Sequence, residues 1–437
     1  MPSIIFLNCF LAAVLLVVVS SGLSGARAEA SGDLEPVNGG ALCSDVRQIL
    51  AKKGVSRQVP DREIKGDHLQ ICPSNRSCCT REMEESYKMA AKMDFRLRLQ
   101  GSGSYLKMLI ATSASHFLGK FQYMVKLAEN NTRTLFSQTY QKMESVARLP
   151  TEQLFLDLLS YLKGKDINLE AHVDSFFRSL FPVVYNHIIN PDMKEVSDDY
   201  KQCLREKTSE IKPFGDKAML ISLQIVRSFD VARSLLQALN LGVEVINTTE
   251  YMDFGTDCYN ALVRLTYCAH CQRLILAKPC SGFCLNVGHG CLAQVAELDR
   301  PWNKYVSAVY RVATGMADSS NIEKVLNLLD TKISETIMHA MEDGSEITKK
   351  VKNLCGHPKR STRSSSEVTD SEQETNGSIV TSRTVVSTWH SQLQNFVKTL
   401  TENKWFYTKL ADSLCSNETF SVEGEANCWN GKEIGEL

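Results

Sequence analysis

The sequence predicts an all-α protein, and three observations carry that prediction. Proline and glycine are scarce, 11 and 24 in 437 residues, too few for a sandwich of short strands joined by tight turns. Long stretches repeat apolar residues at spacings of three, four and seven, the period of an amphipathic helix. A hydrophobic fraction of 43% against 23% charged is a globular composition, enough to give those helices a shared core. No fixed-period repeat stands out. The formal net charge of -1 offers no overall field for nucleic acid, so no nucleic-acid partner is expected.

The amino terminus sets the compartment. Ile4–Ser20 is an uninterrupted apolar run, and Ala26-Arg27-Ala28 follows as an A-x-A cleavage site. Residues 1–28 therefore read as a signal peptide, although its first residues carry no Lys or Arg. Of 15 cysteines, Cys9 lies in that leader. The other fourteen are Cys43, Cys72, Cys78, Cys79, Cys203, Cys258, Cys268, Cys271, Cys280, Cys284, Cys291, Cys355, Cys415 and Cys428. An even number in a secreted chain implies a disulfide framework, whose pairing spacing alone does not give. Asn75, Asn130, Asn247, Asn376 and Asn417 head N-x-[ST] sequons and fit the same route. Asn376 sits in the most polar surroundings, whereas Asn75 is crowded between Cys72 and Cys78.

Along the chain, a short polar lead (29–42) precedes a loop-rich cysteine cluster, Cys43 to Cys79. Helix is expected from Arg81, with the Gly/Ser-rich Gln100–Tyr105 breaking it before a second amphipathic stretch. In that stretch Leu106, Leu109, Ile110, Phe117, Phe121 and Met124 share a face. Thr151 is placed to cap a following helix. The next helix is kinked or interrupted at Pro182 and stopped at Pro191. A long one carries Leu220, Leu223, Val231, Leu235 and Leu239 and ends at Gly242. Two further helical stretches lie between residues 301 and 342. Residues 356–384 then lose almost all apolar character and read as a disordered linker. Helix returns in 385–437. The expected organisation is a helical core over 29–355 whose cysteine-rich part is 43–79 with 258–291, the linker, and a carboxy-terminal helical segment.

The densest chemistry is "CAHCQRLILAKPCSGFCLNVGHGC", Cys268 to Cys291. Zinc would use Cys268, Cys271, Cys280 and Cys284 with His270 or His289, but the compartment oxidises thiols and the cysteines outnumber one tetrahedral site. "CAHC" has the spacing of a dithiol oxidoreductase, without the βαβ context such a centre needs. Disulfide staples use all five cysteines and leave the nine others as partners. No H-E-x-x-H, G-x-S-x-G or G-x-x-x-x-G-K-[ST] is present, so no catalytic, cofactor or metal residue is expected. In the linker, Arg360-x-x-Arg363 has the form of a proprotein-convertase site.

The window resembles the signature of the glypicans, cell-surface heparan sulfate proteoglycans, throughout except at Arg273, where that family usually has Gly. The fourteen cysteines, the adjacent Cys78-Cys79, "LFPVVYNHIINP" and the late "CWNGKE" extend the resemblance over nearly all the mature chain. The convertase-like site and "CWNG" look most like the branch of vertebrate glypicans three and five. The resemblance implies an elongated all-α core with a disulfide-rich lobe at one end. It implies the pairs Cys43–Cys78, Cys72–Cys268, Cys79–Cys271, Cys203–Cys355, Cys258–Cys291, Cys280–Cys428 and Cys284–Cys415. It also implies a non-enzymatic co-receptor that modulates Wnt, Hedgehog, BMP and FGF signalling, with covalent heparan sulfate chains and a lipid (GPI) anchor at the plasma membrane. The family's Ser-Gly cluster and anchor signal follow the last core cysteine, whereas this sequence runs to "NGKEIGEL". Two expectations follow, a truncated sequence or a secreted form that sequesters the same ligands. Among the Ser-Gly pairs present, Ser31 in "EASGDLE" has the acidic neighbours suited to glycosaminoglycan attachment.

Overall fold

The computed structural model describes residues 42–52, 59–317, 320–358, 386–416, 420–422 and 427–435. The leader, Ser31, Asn376, Asn417, Arg360 and Arg363 lie outside them. Its first element is α1 (Ser44–Lys52), followed by a small antiparallel pair, β1 (Ile64–Gly66) and β2 (Ser74–Ser77). The loop-rich cluster expected before residue 80 thus contains one helix and the only sheet among the described residues.

α2 (Arg81–Gln138) is a single helix of 58 residues, about 87 Å long at 1.5 Å per residue. Thr80 caps it, its hydroxyl accepting from the Met83 N–H at 3.4 Å. Its buried side chains run Met83, Tyr87, Ala91, Phe95, Leu99, Gly103, Leu106, Ile110 and on to Phe136, one stripe along the whole helix. The break expected at Gln100–Tyr105 is absent. The glycine there serves packing: a Cβ on Gly103 would come within 3.1 Å of Glu250 Oε1 and 3.3 Å of Ile246 Cγ2. The chain stays helical there because the neighbouring helix needs the room, and the ladder of α2 is continuous through the glycines.

α3 (Glu144–Leu162) folds back beside it, and α4 (Leu169–Val184) packs on α3. Thr151 is no cap. It lies inside α3, fully buried, its hydroxyl donating to the Ala147 carbonyl at 2.8 Å. Pro182 neither ends nor splits α4, which passes into a π-helical turn at Tyr185–Ile189 just before Pro191. α5 (Asp198–Glu206) and α6 (Thr208–Ile211) lead to α7 (Lys217–Glu250), the main partner of α2. Leu235 and Leu239 are buried in α7, while Leu220 and Leu223 are over half exposed. α7 does not end at Gly242; a Cβ there would lie 2.2 Å from the buried hydroxyl of Tyr305. Both glycines read as terminators because their partners are remote in sequence.

α8 (Gly255–Thr266), α9 (Cys268–Cys271) and α10 (Ser281–Ala296) carry the cysteine window. α11 (Asp299–Ala317), α12 (Ile322–Asn327), α13 (Leu329–Glu342) and α14 (Gly344–Cys355) complete the part before the linker. Beyond it, α15 (Val386–Glu402) packs on α2 and α11, and α16 (Leu410–Cys415) on α2 and α10. Three buried polar anchors hold this returning segment. Asp299 accepts the N–H groups of Tyr407 and Thr408 at 3.0 and 2.8 Å, Glu323 accepts the Trp389 indole N–H at 2.7 Å, and the Trp302 indole donates to the Asn403 carbonyl at 2.9 Å.

The two kinds of glycine separate in a stability measurement. Gly242→Ala is expected to cost about 1–3 kcal/mol by overpacking against Tyr305. Gly290→Ala, on α10 with nothing within 4 Å of its added Cβ, is expected to gain about 0.5–1 kcal/mol. Urea denaturation of the oxidised protein reads both.

Candidate functional site: a disulfide knot at the foot of the long helix

Six bridges gather where α2 begins. Cys79 immediately precedes the cap of α2 and bridges to Cys271, while its neighbour Cys78 bridges to Cys43. Cys268, one helical turn before Cys271 on α9, takes Cys72. Cys258 on α8 joins Cys291 on α10. Cys280 and Cys284, one turn apart at the start of α10, reach forward across the linker to Cys428 and Cys415, with Cα–Cα distances of 4.9 and 5.8 Å. The seventh bridge, Cys203–Cys355, stands apart and ties α5 to α14. The two cysteines of "CAHC" therefore bond to different distant partners, so the C-x-x-C holds no dithiol pair of its own. Among the described residues no group of three or more His, Cys, Asp or Glu is placed to hold a metal ion.

Contacts between remote segments hold the knot closed. Glu84, four residues past the α2 cap and only 2% exposed, accepts the backbone N–H groups of Gln70, Ile71 and Cys72 at 3.0, 2.8 and 2.8 Å. One carboxylate at a helix N-terminus thus fixes the loop that presents Cys72. The Cys78 N–H donates to the Cys271 carbonyl at 2.8 Å. Tyr87 and Tyr267 stack at 4.7 Å behind the bridges, and the Tyr267 hydroxyl donates to Asp94 at 3.0 Å. Burial pushes both phenols well above their usual range, so they stay neutral.

The carboxy-terminal "CWNG" is built in as tightly. Trp429 is fully buried, its indole donating to the Arg264 carbonyl at 2.8 Å. Backbone pairs run between the two sides of the linker: Cys280 N–H to Trp429, Trp429 N–H to Lys278 and Val422 N–H to Pro279, at 2.9, 2.8 and 3.0 Å. Gly431 adopts φ 102° with its Cα against Phe283, whose ring a Cβ would approach at 2.8 Å. Glu84, Asp299 and Trp429 carried no sequence signal of these roles, because each serves partners distant along the chain. Asn75, on β2, Asn130, on α2, and Asn247, on α7, are all exposed.

The glypican family model matches residues 23–436. Glypican-5 of Homo sapiens is 39% identical over 396 residues, covering 90% of this chain and 69% of the relative. The chain belongs to the glypican family. Glypican-1 of Xenopus tropicalis is 30% identical over 391 residues, covering 89% of this chain and 70% of the relative. The crystal structure of C-terminally truncated glypican-1 superposes with a TM-score of 0.73 at 28% identity, covering 91% of this chain and 87% of that one. Dally-like protein in complex with O-palmitoleoyl serine gives 0.62 at 27% identity, covering 91% and 88%.

The departure of this chain from the glypican signature has a conformational consequence. Arg273 has φ 63°, the left-handed region. It stands at the position just past the end of α9, where the Leu274 N–H returns to the Ala269 carbonyl at 2.9 Å and the Arg273 N–H to the His270 carbonyl at 3.0 Å. That pair of bonds is a Schellman motif, which favours Gly at this position. Arg273 meets the steric cost of a Cβ there, about 1 kcal/mol, with only a loose ion pair to Glu63 at 3.9 Å in return. Arg273→Gly is accordingly expected to raise stability by about 0.5–1 kcal/mol. Thermal unfolding of the oxidised variant checks this.

Proposed function

We propose that this chain is the core protein of a cell-surface heparan sulfate proteoglycan. In this reading it acts as a co-receptor for secreted signalling proteins of the Wnt, Hedgehog, BMP and FGF classes. The observation that carries the reading is the family match over nearly the whole chain, on a fold that spends its cysteines on architecture. Sulfated chains would recruit basic ligand surfaces by charge, and the helical core would add contacts of its own. No described helix is long and apolar enough to cross a membrane, and the proposed attachment to the outer face of the plasma membrane is through a lipid anchor. Dally-like protein has a solved structure in complex with O-palmitoleoyl serine, so ligands carrying an acylated serine are the class to test first.

Processing belongs to the same proposal. Ser31 is proposed to accept a glycosaminoglycan, the five sequon asparagines N-glycans, and Arg360-x-x-Arg363 a convertase cut. Because Cys415 and Cys428 bridge back to Cys284 and Cys280, a cut at Arg363 would leave the two pieces joined.

The test is ligand capture by cells making the full product, before and after heparan lyase. A sulfated core is expected to run as a broad band that collapses on lyase treatment, with the charge-driven share of ligand binding falling as salt rises. A sharp band indifferent to lyase, with no capture of any of these ligands, would remove the proteoglycan reading.

A further inference from the structure

The outer face of α2 is unusual for a helix of its length. Its exposed positions from Met89 to Gly119 are Met89, Met93, Leu97, Gly101, Ser104, Tyr105, Met108, Ala111, Thr112, Ser115, His116 and Gly119, without one Lys, Arg, Asp or Glu. Met89, Met93, Leu97 and Met108 are 71, 66, 56 and 64% exposed. The charges that border the face are engaged within the fold. Lys92 pairs with Asp253 and Lys107 with Glu250, each at 2.9 Å; Arg96 and Arg98 lie over the rings of Tyr251 and Phe420; Asp94 accepts from Tyr267. An exposed helix normally turns such charges to water.

Toward its two ends the face is also patterned by size, large before Ser104 and small after it. Met89, Met93 and Leu97 stand fifteen, eleven and seven residues before it; Gly119, Ser115 and Ala111 stand fifteen, eleven and seven after it. From this we infer that two copies of the chain pair through α2, antiparallel, about a two-fold axis at Ser104. In an isologous antiparallel contact, position 104 minus n meets position 104 plus n of the other copy. Three large side chains then meet small ones, Met89 against Gly119, Met93 against Ser115 and Leu97 against Ala111, while Met108 falls opposite Gln100 and His116 opposite Lys92. A parallel pairing would set Met on Met and Gly on Gly and splay the helices. The open space around Gly101 and Gly119, with nothing within 4 Å of an added Cβ, is room that the second helix fills.

The dimensions fit a weak, specific dimer. Thirty-one residues of helix span roughly 46 Å, and a strip about 10–12 Å wide gives about 500 Å² per copy, or about 1,000 Å² in all. Beside the axis, Tyr105 and Trp405, 60 and 58% exposed, line a cleft of about 210 Å³ with Glu402 and Lys409 at its edge. Exposed Trp and Tyr near the centre of a patch are the side chains that most often anchor interfaces.

Sedimentation of the purified, oxidised and glycosylated protein tests this. The wild-type chain is expected to pass from monomer to twice its mass with a dissociation constant of roughly micromolar order. Leu97→Glu places two charges in the contact and is expected to raise that constant roughly a thousand-fold, since each copy contributes the defect. Leu276→Glu, 88% exposed and off the face, is expected to leave it unchanged. The register has its own check. Leu97→Ala is expected to weaken the dimer, and Leu97→Ala with Ala111→Leu to restore it, because the swap returns a large residue opposite a small one. A chain that stays monomeric throughout, a dimer indifferent to Leu97→Glu, no rescue by the swap, or a monomer whose face is protected only by added lipid vesicles would each overturn the inference.

Discussion

A helix of 58 residues cannot bury its apolar stripe by folding on itself. Left in water, a stripe that reaches from Met83 to Phe136 would drive aggregation, so the remaining chain must cover it over about 87 Å. That requirement explains why α3, α7, α8, α12, α13, α15 and α16 all touch α2, although they come from both sides of the linker. It also explains the glycines at its contacts. Gly103 brings α7 close enough for Glu250 to meet Lys107 at 2.9 Å while only 5% of the Glu250 side chain is exposed.

The knot follows from the same geometry. The segments that cap the foot of α2 are short and poor in core of their own, and burial alone would hold them weakly. Bridges that close separations of 131 to 196 residues limit the unfolded chain far more than local ones do. Buried carboxylates complete the arrangement. Glu84 takes three backbone donors and Asp299 two, and charge-assisted bonds of this kind contribute about 1.5–3 kcal/mol each. Covalent and polar ties therefore act on the same two places, the loop before α2 and the segment after the linker.

What was legible in the sequence was whatever is local. The period of the apolar residues located the helices, and the fourteen cysteines with their compartment pointed to a disulfide framework. Non-local information was misread or missing. Gly103 and Gly242 looked like breaks because their meaning lies in Ile246, Glu250 and Tyr305. Thr151 looked like a cap because a hydroxyl that bonds the carbonyl four residues back has no mark of its own. The partners of Cys268 and Cys271 could not be read from spacing, and a resemblance to a family was needed to suggest them. Arg273 was visible as a mismatch, but its left-handed backbone was not.

The central claim is that Cys280–Cys428 and Cys284–Cys415 make one body of the chain on both sides of residues 359–385. Limited proteolysis there, followed by gel filtration and intact mass in denaturant, tests it most directly. The account predicts one species of undiminished mass, apart from added water, until reductant is supplied, and two fragments afterwards. A carboxy-terminal fragment that leaves in denaturant alone would contradict it.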